Sequence, residues 1–589
     1  MLDIGIWDLR FDTVDPHSLS LTLTLLLVFT AALGGGIVAK IFKLPFLLGY
    51  IIAGVAIGNI FRQGIDVPIL SFISDAGITL LLFTLGVEFS FHRLKKIVPI
   101  VTWPVTVQIL LVFVFFFVFL SFVGFPTIAT LFIASAISLS STAIIVKFLG
   151  ERGELETIPG ELTTGWLIVQ DLWVIPFMLL LPILSLLSSM QSVSLGSIAT
   201  SVTMSLLKII VIVIAGLLLG KHGIPRLLDK IASLKSREIF LVATIGIVFL
   251  SAIAFYALGL SAPVGAFVAG LLIAETSQNH AIFAEIRPLR DIFVVIFFVT
   301  LGMTIPFSYV LTHIPLLIGL SLCVLVVKWI VVFGLVRMRG YHRKTAFLTG
   351  LFLIPMSEFG FILAKEGVSV RALSSEHYVF IISLTFFTLL LSTLITSNSQ
   401  RLYYWFHAHI VKRLPKIFPI LPEEHVITED TPLRDHIVIC GYGRVGKYIG
   451  RALEMAQIPY VVVDYNHSTV ALLREKGVKV IYGDPADKDV LDFAEVDFAK
   501  VLVIAIPDRH TQELIISHAH TLSRKIKIIC RTHFEEDQNY LKSLGVNTIV
   551  QPEFEAALSI VTRLLSEFGV SEEDINGKVS RLKIEHGLG

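Results

Sequence analysis

Gln170 and Asp171 stand side by side near the centre of an apolar stretch, residues 160–187, long enough to cross a bilayer. Ten residues of helix from Glu161 to Asp171 rise roughly 15 Å, about half the hydrocarbon thickness. An ionised carboxylate at that depth costs about 3 kcal/mol or more unless it faces a wet cavity or a partner. Asp171 is therefore expected to be an ion or proton site. One carboxylate holds either a proton or one dehydrated cation, and Gln170 adds a carbonyl oxygen without charge. Ser140, Ser141 and Thr142, in the apolar segment 126–149, are the other oxygen donors expected there. Oxygen ligands suit a hard monovalent cation. For Ser141 and Thr142, bonding to their own helix backbone is the competing role. Lys328, in segment 309–336, and Glu358, in segment 343–366, are the supporting buried charges. Lys328 is expected either to neutralise a carboxylate when the cation is absent, a transport role, or to form a structural ion pair with one, and Glu358 to be a structural partner rather than the carrier. Glu88, Glu275 and Asp291 fall near segment ends, where solvated or capping roles suffice.

A second constellation lies far downstream. His436–Cys440 reads as a short buried strand running into Gly441-Tyr442-Gly443-Arg444-Val445-Gly446, which opens a helix. A second strand, 460–463, ends at Asp464. Glycines at this spacing permit a tight turn and close backbone approach, the helix N-terminus attracts a phosphate, and the acidic residue accepts from ribose hydroxyls. Asp484, beyond the strand 478–482, joins the candidate nucleotide-binding residues. The expected ligand is NAD(H), AMP or another adenine nucleotide. Residues 433–589 hold no second domain to bring a substrate to a nicotinamide, so the role is regulatory and no enzyme activity is expected.

The elements that must position these groups follow from composition. Of 589 residues, 55% are hydrophobic and 16% charged, with a mean hydropathy of +0.82. A soluble chain carries about a quarter charged residues. About thirteen apolar segments fill residues 1–400, giving a polytopic α-helical membrane domain. Residues 401–432 form a linker whose aromatic and basic start suits the headgroup level. Residues 433–589 alternate strand and helix as a doubly wound Rossmann-type sheet. The net charge of +1 points to no nucleic-acid partner. Cys323, Cys440 and Cys530 match neither a disulfide framework nor a CxxC metal site. The first twenty residues lack a basic n-region and do not read as a signal peptide.

Basic clusters such as Arg93, Lys95 and Lys96, or Arg337, Arg339, Arg343 and Lys344, fall in one set of loops. The other set holds only Arg62, Lys365 and Arg371. This places the N-terminus outside and the C-terminal domain in the cytoplasm. Two segments have interrupted composition, at Ser138–Thr142 and at Pro355–Gly360. Proline removes a helix donor, and Ser and Thr satisfy backbone groups freed by unwinding. If the segments form inverted repeats, these two correspond, and paired broken helices mark a transporter site.

Further motifs join these: Gly49-Tyr50-Ile51-Ile52-Ala53-Gly54, Leu80–Glu88, Ser140-Ser141-Thr142-Ala143, Ala269-Gly270 through Ala274-Glu275, Arg290-Asp291 with Phe297-Phe298 and Gly302-Met303, and Ser357-Glu358-Phe359-Gly360-Phe361. Together with Gln170-Asp171 and the Rossmann fusion, they resemble the cation:proton antiporter-2 family, specifically its Kef-type potassium efflux systems. The resemblance covers nearly the whole chain. It implies a sodium/proton-antiporter-like fold with an inverted repeat and a C-terminal RCK N (TrkA-N) domain. It also implies a homodimer in the bacterial inner membrane, working by elevator-like alternating access and exchanging K+ for H+. The Gln-Asp pair resembles the potassium branch and argues for one-for-one exchange. Kef-type proteins also bind glutathione and a soluble ancillary flavoprotein. Arg531 resembles one arginine of that pocket, but His533 stands where a second arginine is common, which counts against glutathione. A sodium-carrying antiporter of the same fold stays open. An RCK-gated potassium channel would need a carbonyl filter such as TVGYG, which this sequence lacks. A membrane-anchored NAD-dependent enzyme would not need so many spans.

Overall fold

The computed structural model describes residues 16–42, 44–61, 67–88, 91–155, 157–189, 226–231, 233–234, 236–257, 262–274, 276, 278–411, 434–533 and 535–586. The chain forms two compact units. The first comprises Met1–Ile144, Gly165–Val331 and Phe352–Ser397; the second comprises Ile145–Thr164, Val332–Leu351 and Asn398–Gly589. The second unit thus takes in two stretches of the apolar half of the sequence.

The helices are α1 (Pro16–Ile41), α2 (Phe46–Ile60), α3 (Val67–Glu88), α4 (Phe91–Val123), α5 (Thr127–Ser138), α6 (Thr142–Glu151), α7 (Ile158–Ser189), α8 (Arg237–Ala257), α9 (Ala262–Ala274), α10 (Asn279–Met303), α11 (Phe307–Met338), α12 (Arg343–Phe352), α13 (Phe359–Ser369), α14 (Ser375–Ser397) and α15 (Ser399–Phe406). Eight helical spans among the described residues are long and apolar enough to cross a membrane, and α2 and α9 are shorter apolar helices. The expected span 203–220 lies outside the described residues, as do residues 1–15. The expected spans 126–149 and 343–366 are each split in two, as α5/α6 and α12/α13.

Within the first unit, α3 packs against α9 and α10, α2 against α1 and α10, and α4 and α13 against α5. The α3–α9 contact depends on glycine. A methyl added at Gly86 or at Gly270 would lie 2.9 Å from the other's Cα. Lipid offers no hydrophobic drive for helices to associate, so such close backbone approach supplies the packing.

In the second unit, β1 (Ile437–Cys440), β2 (Tyr460–Asp464), β3 (Val480–Tyr482), β4 (Val501–Ile504), β5 (Lys527–Arg531) and β6 (Thr548–Val550) form one parallel sheet in the order β3-β2-β1-β4-β5-β6. The strands placed from the sequence at 436–440, 460–463 and 478–482 are β1, β2 and β3. Val438, Ile439 and Cys440 of the central strand are fully buried, the near-continuous apolar run of a strand covered on both faces. Cys440 and Cys530 are buried free thiols in this core. α16 (Arg444–Met455) follows β1 directly. The chain reverses direction across the sheet between β1 and β4, and such a switch point opens a crevice at the strands' C-terminal ends.

Candidate functional site

The first unit is organised around two breaks. α5 stops at Ser138, Leu139 is extended, and α6 restarts at Thr142. α12 stops at Phe352 and α13 restarts at Phe359. Backbone groups freed inside a membrane must find partners within the protein. They find them here in named side chains. Gln108 Nε2 donates to Ser138 O at 3.0 Å. Ser140 N donates to Gln170 Oε1 at 3.1 Å. Ser140 Oγ donates to Leu353 O at 2.7 Å, joining one break to the other. Lys328 Nζ donates to Leu139 O at 2.7 Å and to Pro355 O at 2.8 Å, one carbonyl from each break.

The two buried charges complement the half-helices. The ammonium of Lys328 is fully buried and sits on the C-terminal side of α5 and α12, where helix dipoles are negative. The carboxylate of Glu358 accepts from Ser141 Oγ at 2.7 Å and from the Ala143 amide, at the positive N-terminal ends of α6 and α13. Among the described residues, Lys328 forms no ion pair with a carboxylate; its expected partner is replaced by the two carbonyls.

Asp171 lies on α7 and is 3% exposed. Thr142 Oγ1, at the first position of α6, donates to Asp171 Oδ2 at 2.8 Å. A cavity of about 10 Å³ beside Asp171, room for a single water, is walled by Leu82 and Leu85 of α3, Val264 and Phe267 of α9, and Val174, Ile175 and Met178 of α7. Gln170 turns elsewhere. Its oxygen accepts from Ser140 N, and its amide donates to Gln108 Oε1, which also accepts from Trp166 Nε1 at 3.2 Å. Gln170, Ser140 and Ser141 therefore hold the breaks in shape, while Thr142 and Asp171 meet directly. Gln108 was not singled out from the sequence. A polar residue in the middle of the apolar α4 is the available signal.

In the second unit, a pocket of about 320 Å³ opens over the C-terminal ends of the central strands. Gly441, Gly443 and Arg444 line it from the β1–α16 turn, Asp464 from β2, and Arg531 and His533 from the end of β5. The glycines divide by role. Gly441 has φ +93°, and a methyl on Gly446 would strike the Gly441 carbonyl, so both serve the tight turn. A methyl on Gly443 would meet no atom within 4 Å, so this glycine leaves open the space a ligand would fill. Neither Val445 nor Gly446 lines the pocket.

Asp464 Oδ2 accepts from Tyr442 N at 2.6 Å, and Oδ1 from Asn466 N at 2.7 Å. Burial pushes this carboxyl up, and the two amides and Lys447 partly offset it. Arg531 Nη2 meets His533 Nε2 at 2.6 Å, and His533 Nδ1 meets Glu553 at 2.8 Å. Arg531 thus belongs to this pocket.

Asp484 is placed differently. Its carboxylate forms a buried ion pair with Lys344 at 3.1 Å, and its Oδ1 accepts from Ala486 N at 3.1 Å. Tyr404 OH lies 2.5 Å from the Lys344 ammonium and donates to Asp484 Oδ2 at 3.2 Å. Burial raises the Asp484 carboxyl, but Lys344 and His342 outweigh it and hold the group below the ordinary carboxylate range. Asp484 does not line the pocket. The start of the expected linker is the helix α15, whose Tyr403 is 4% exposed and whose Tyr404 completes this cluster.

Residues 26–398 match the family described as sodium/hydrogen exchanger, transmembrane, and residues 437–552 match the TrkA-N domain. The chain is 27% identical over 535 residues to the putative cation/proton antiporter YbaL of Escherichia coli (strain K12), covering 90% of this chain and 94% of that protein. It is 28% identical over 544 residues to the putative K(+) efflux antiporter KefB of Alkalimonas amylolytica, covering 92% of this chain and 80% of that protein. The solved structure of the sodium proton antiporter MjNhaP1 from Methanocaldococcus jannaschii superposes with a TM-score of 0.50 at 17% identity, covering 64% of this chain and 97% of that one. At that identity the likeness is one of fold.

Proposed function

The chain belongs to the sodium/hydrogen exchanger family, and from that premise we propose that it is a secondary potassium–proton antiporter whose exchange is gated by an adenine nucleotide. The observation that carries the reading is Asp171, a buried carboxylate on a membrane helix whose sequence neighbour is a neutral amide and whose oxygen is held by Thr142. A proton and a dehydrated cation compete for one charge, so exchange is one for one and electroneutral. The name of the putative K(+) efflux antiporter relative supports potassium as the cation. Asp171 and Thr142 bind the ion; Gln170, Ser140 and Ser141 shape the site, and Lys328 and Glu358 stabilise the broken helices. Residues 1–400 form the exchanger, 401–432 the linker and 433–589 the regulatory domain. The protein works as a homodimer in the bacterial inner membrane with the N-terminus outside.

The pocket at the β1–α16 turn supports AMP or NAD(H) as the regulatory ligand, with Gly443, Arg444 and Asp464 around it. Arg531 and His533 are assigned to the same ligand rather than to glutathione.

In proteoliposomes, Asp171→Asn is expected to abolish cation-driven proton flux while the protein still folds. Potassium, sodium, rubidium and lithium are compared, with and without a potassium ionophore. Wild-type exchange by the variant, or a sodium rate above that for potassium, overturns the assignment.

A further inference from the structure

The ligand pocket of the second unit is not built from Rossmann elements alone. The turn between α6 and α7 lines it through Gly153, Glu154 and Thr157. This turn is tightly tied. Glu154 N donates to Leu149 O at 2.9 Å, Thr157 N to Glu154 O at 3.1 Å, and Thr157 Oγ1 to the same carbonyl at 2.6 Å. A methyl on Gly160 would strike the Glu154 carbonyl, so α7 begins hard against the turn. The two helices that leave it are the ones carrying Thr142 and Asp171.

Glu154 is 5% exposed yet lines a pocket that suits an anionic ligand. Its neighbours are Arg152 in the same turn at 3.8 Å, Asp508 in the loop after β4, and Lys344 on α12. Glu161 on α7 lines the same pocket, as does His533, whose ring packs against Gly153. Lys344 is already committed to Asp484 at 3.1 Å. Arg152, at 3.8 Å, and the more weakly acting Lys344 are the cations set against a buried carboxylate and the neighbouring Asp508.

We propose that the α6–α7 turn is one wall of the nucleotide site and that Glu154 makes nucleotide binding proton-dependent, the anionic ligand binding the form whose carboxyl carries a proton. The proposal rests on the adenine-nucleotide reading above. Burial raises the Glu154 carboxyl and Asp508 raises it further, with Arg152 and Lys344 offsetting only part, which leaves it at about 7. An ionised Glu154 opposes a phosphate in the same cavity. Protonation removes that charge, so acidification strengthens binding at the wall from which Asp171's own helix departs.

The test is calorimetric titration of the full-length protein in detergent with NAD+ and with AMP at pH 6, 7 and 8. NAD+ keeps a constant phosphate charge over this range. A carboxyl titrating at about 7 goes from about nine-tenths to about one-tenth protonated, so the wild-type Kd for NAD+ should rise about tenfold from pH 6 to pH 8. Glu154→Gln should keep the pH 6 affinity throughout. Asp508→Asn should move the midpoint to lower pH. A flat wild-type profile, or an unchanged slope in Glu154→Gln, overturns the proposal and leaves the nucleotide reading standing. Failure of both probes to bind at any pH overturns both.

Discussion

The Lys344–Asp484 pair offers the sharpest energetic test of the second unit. The side chains are 2% and 9% exposed and 3.1 Å apart. Removing one partner of a buried pair costs about 3–5 kcal/mol, because the remaining charge is left in a poorly solvating site. In Asp484→Asn, the Lys344 ammonium would lose its paired charge and keep neutral oxygens close by, the amide carbonyl and the Tyr404 and Thr511 hydroxyls, the last two at 2.5 and 3.2 Å. In Lys344→Met, the carboxylate would retain Ala486 N and Tyr404 OH. The double variant Lys344→Met/Asp484→Asn leaves no buried charge, and such replacements are often near neutral. Hydrogen exchange read by mass spectrometry on the full-length protein reports the local opening energy of β3 and the first turn of α12. At 1.4 kcal/mol per tenfold, each single variant should exchange roughly a hundredfold to a few thousandfold faster there. The double variant should recover most of that protection. The sign with pH is set by the depressed Asp484 carboxyl. Its stabilisation is complete above the unfolded value of 3.8 and is lost as the pH falls below that, through the folded value, so it is constant across the neutral range. Exchange within threefold of wild type in both single variants, or additive losses in the double, refutes the reasoning.

Two further substitutions separate ion handling from ligand handling. Thr142→Val removes the hydroxyl that donates to Asp171 at 2.8 Å. A hydrogen bond to a charged group contributes about 1.5–3 kcal/mol, so apparent cation affinity in proteoliposomes should weaken by about tenfold or more while exchange persists at saturating cation. An unchanged affinity would remove Thr142 from the site. Gly443→Ala adds a methyl that meets no protein atom within 4 Å, at a φ of −71° that alanine accepts. The thermal midpoint of the ligand-free protein should not move, while affinity for AMP or NAD+ falls at least tenfold; intact affinity places the nucleotide elsewhere.

The breaks in the two half-helix pairs were legible because their composition departs locally from a membrane helix. Ser138–Thr142 and Pro355–Gly360 carry hydroxyls and a proline where apolar residues would otherwise run, and unwinding leaves backbone groups that such residues help to satisfy. The Rossmann turn was legible for a similar reason, since Gly441 must adopt φ +93° and few other residues do. The partners of the freed backbone groups were not legible. Gln108 and Lys328 reach Ser138, Leu139 and Pro355 from other helices, and no local pattern encodes which carbonyl an amide or ammonium will meet. For the same reason, Lys328 was expected to meet a carboxylate and Asp484 to meet the nucleotide.

Hydropathy, glycine spacing and one misplaced carboxylate pointed by themselves to a polytopic membrane half, a Rossmann half with a glycine-rich turn, and Asp171 as the candidate ion site. Each of these is a local property: apolar length, backbone conformation and the cost of a charge in hydrocarbon. Only the tertiary structure decided that Thr142 rather than Gln170 reaches Asp171, that Lys328 and Glu358 answer opposite ends of the half-helices, and that Lys344 and Glu154 fold in with the Rossmann sheet. Those outcomes depend on which side chains meet across helices far apart in sequence, and distance and burial settle that only once the chain is packed.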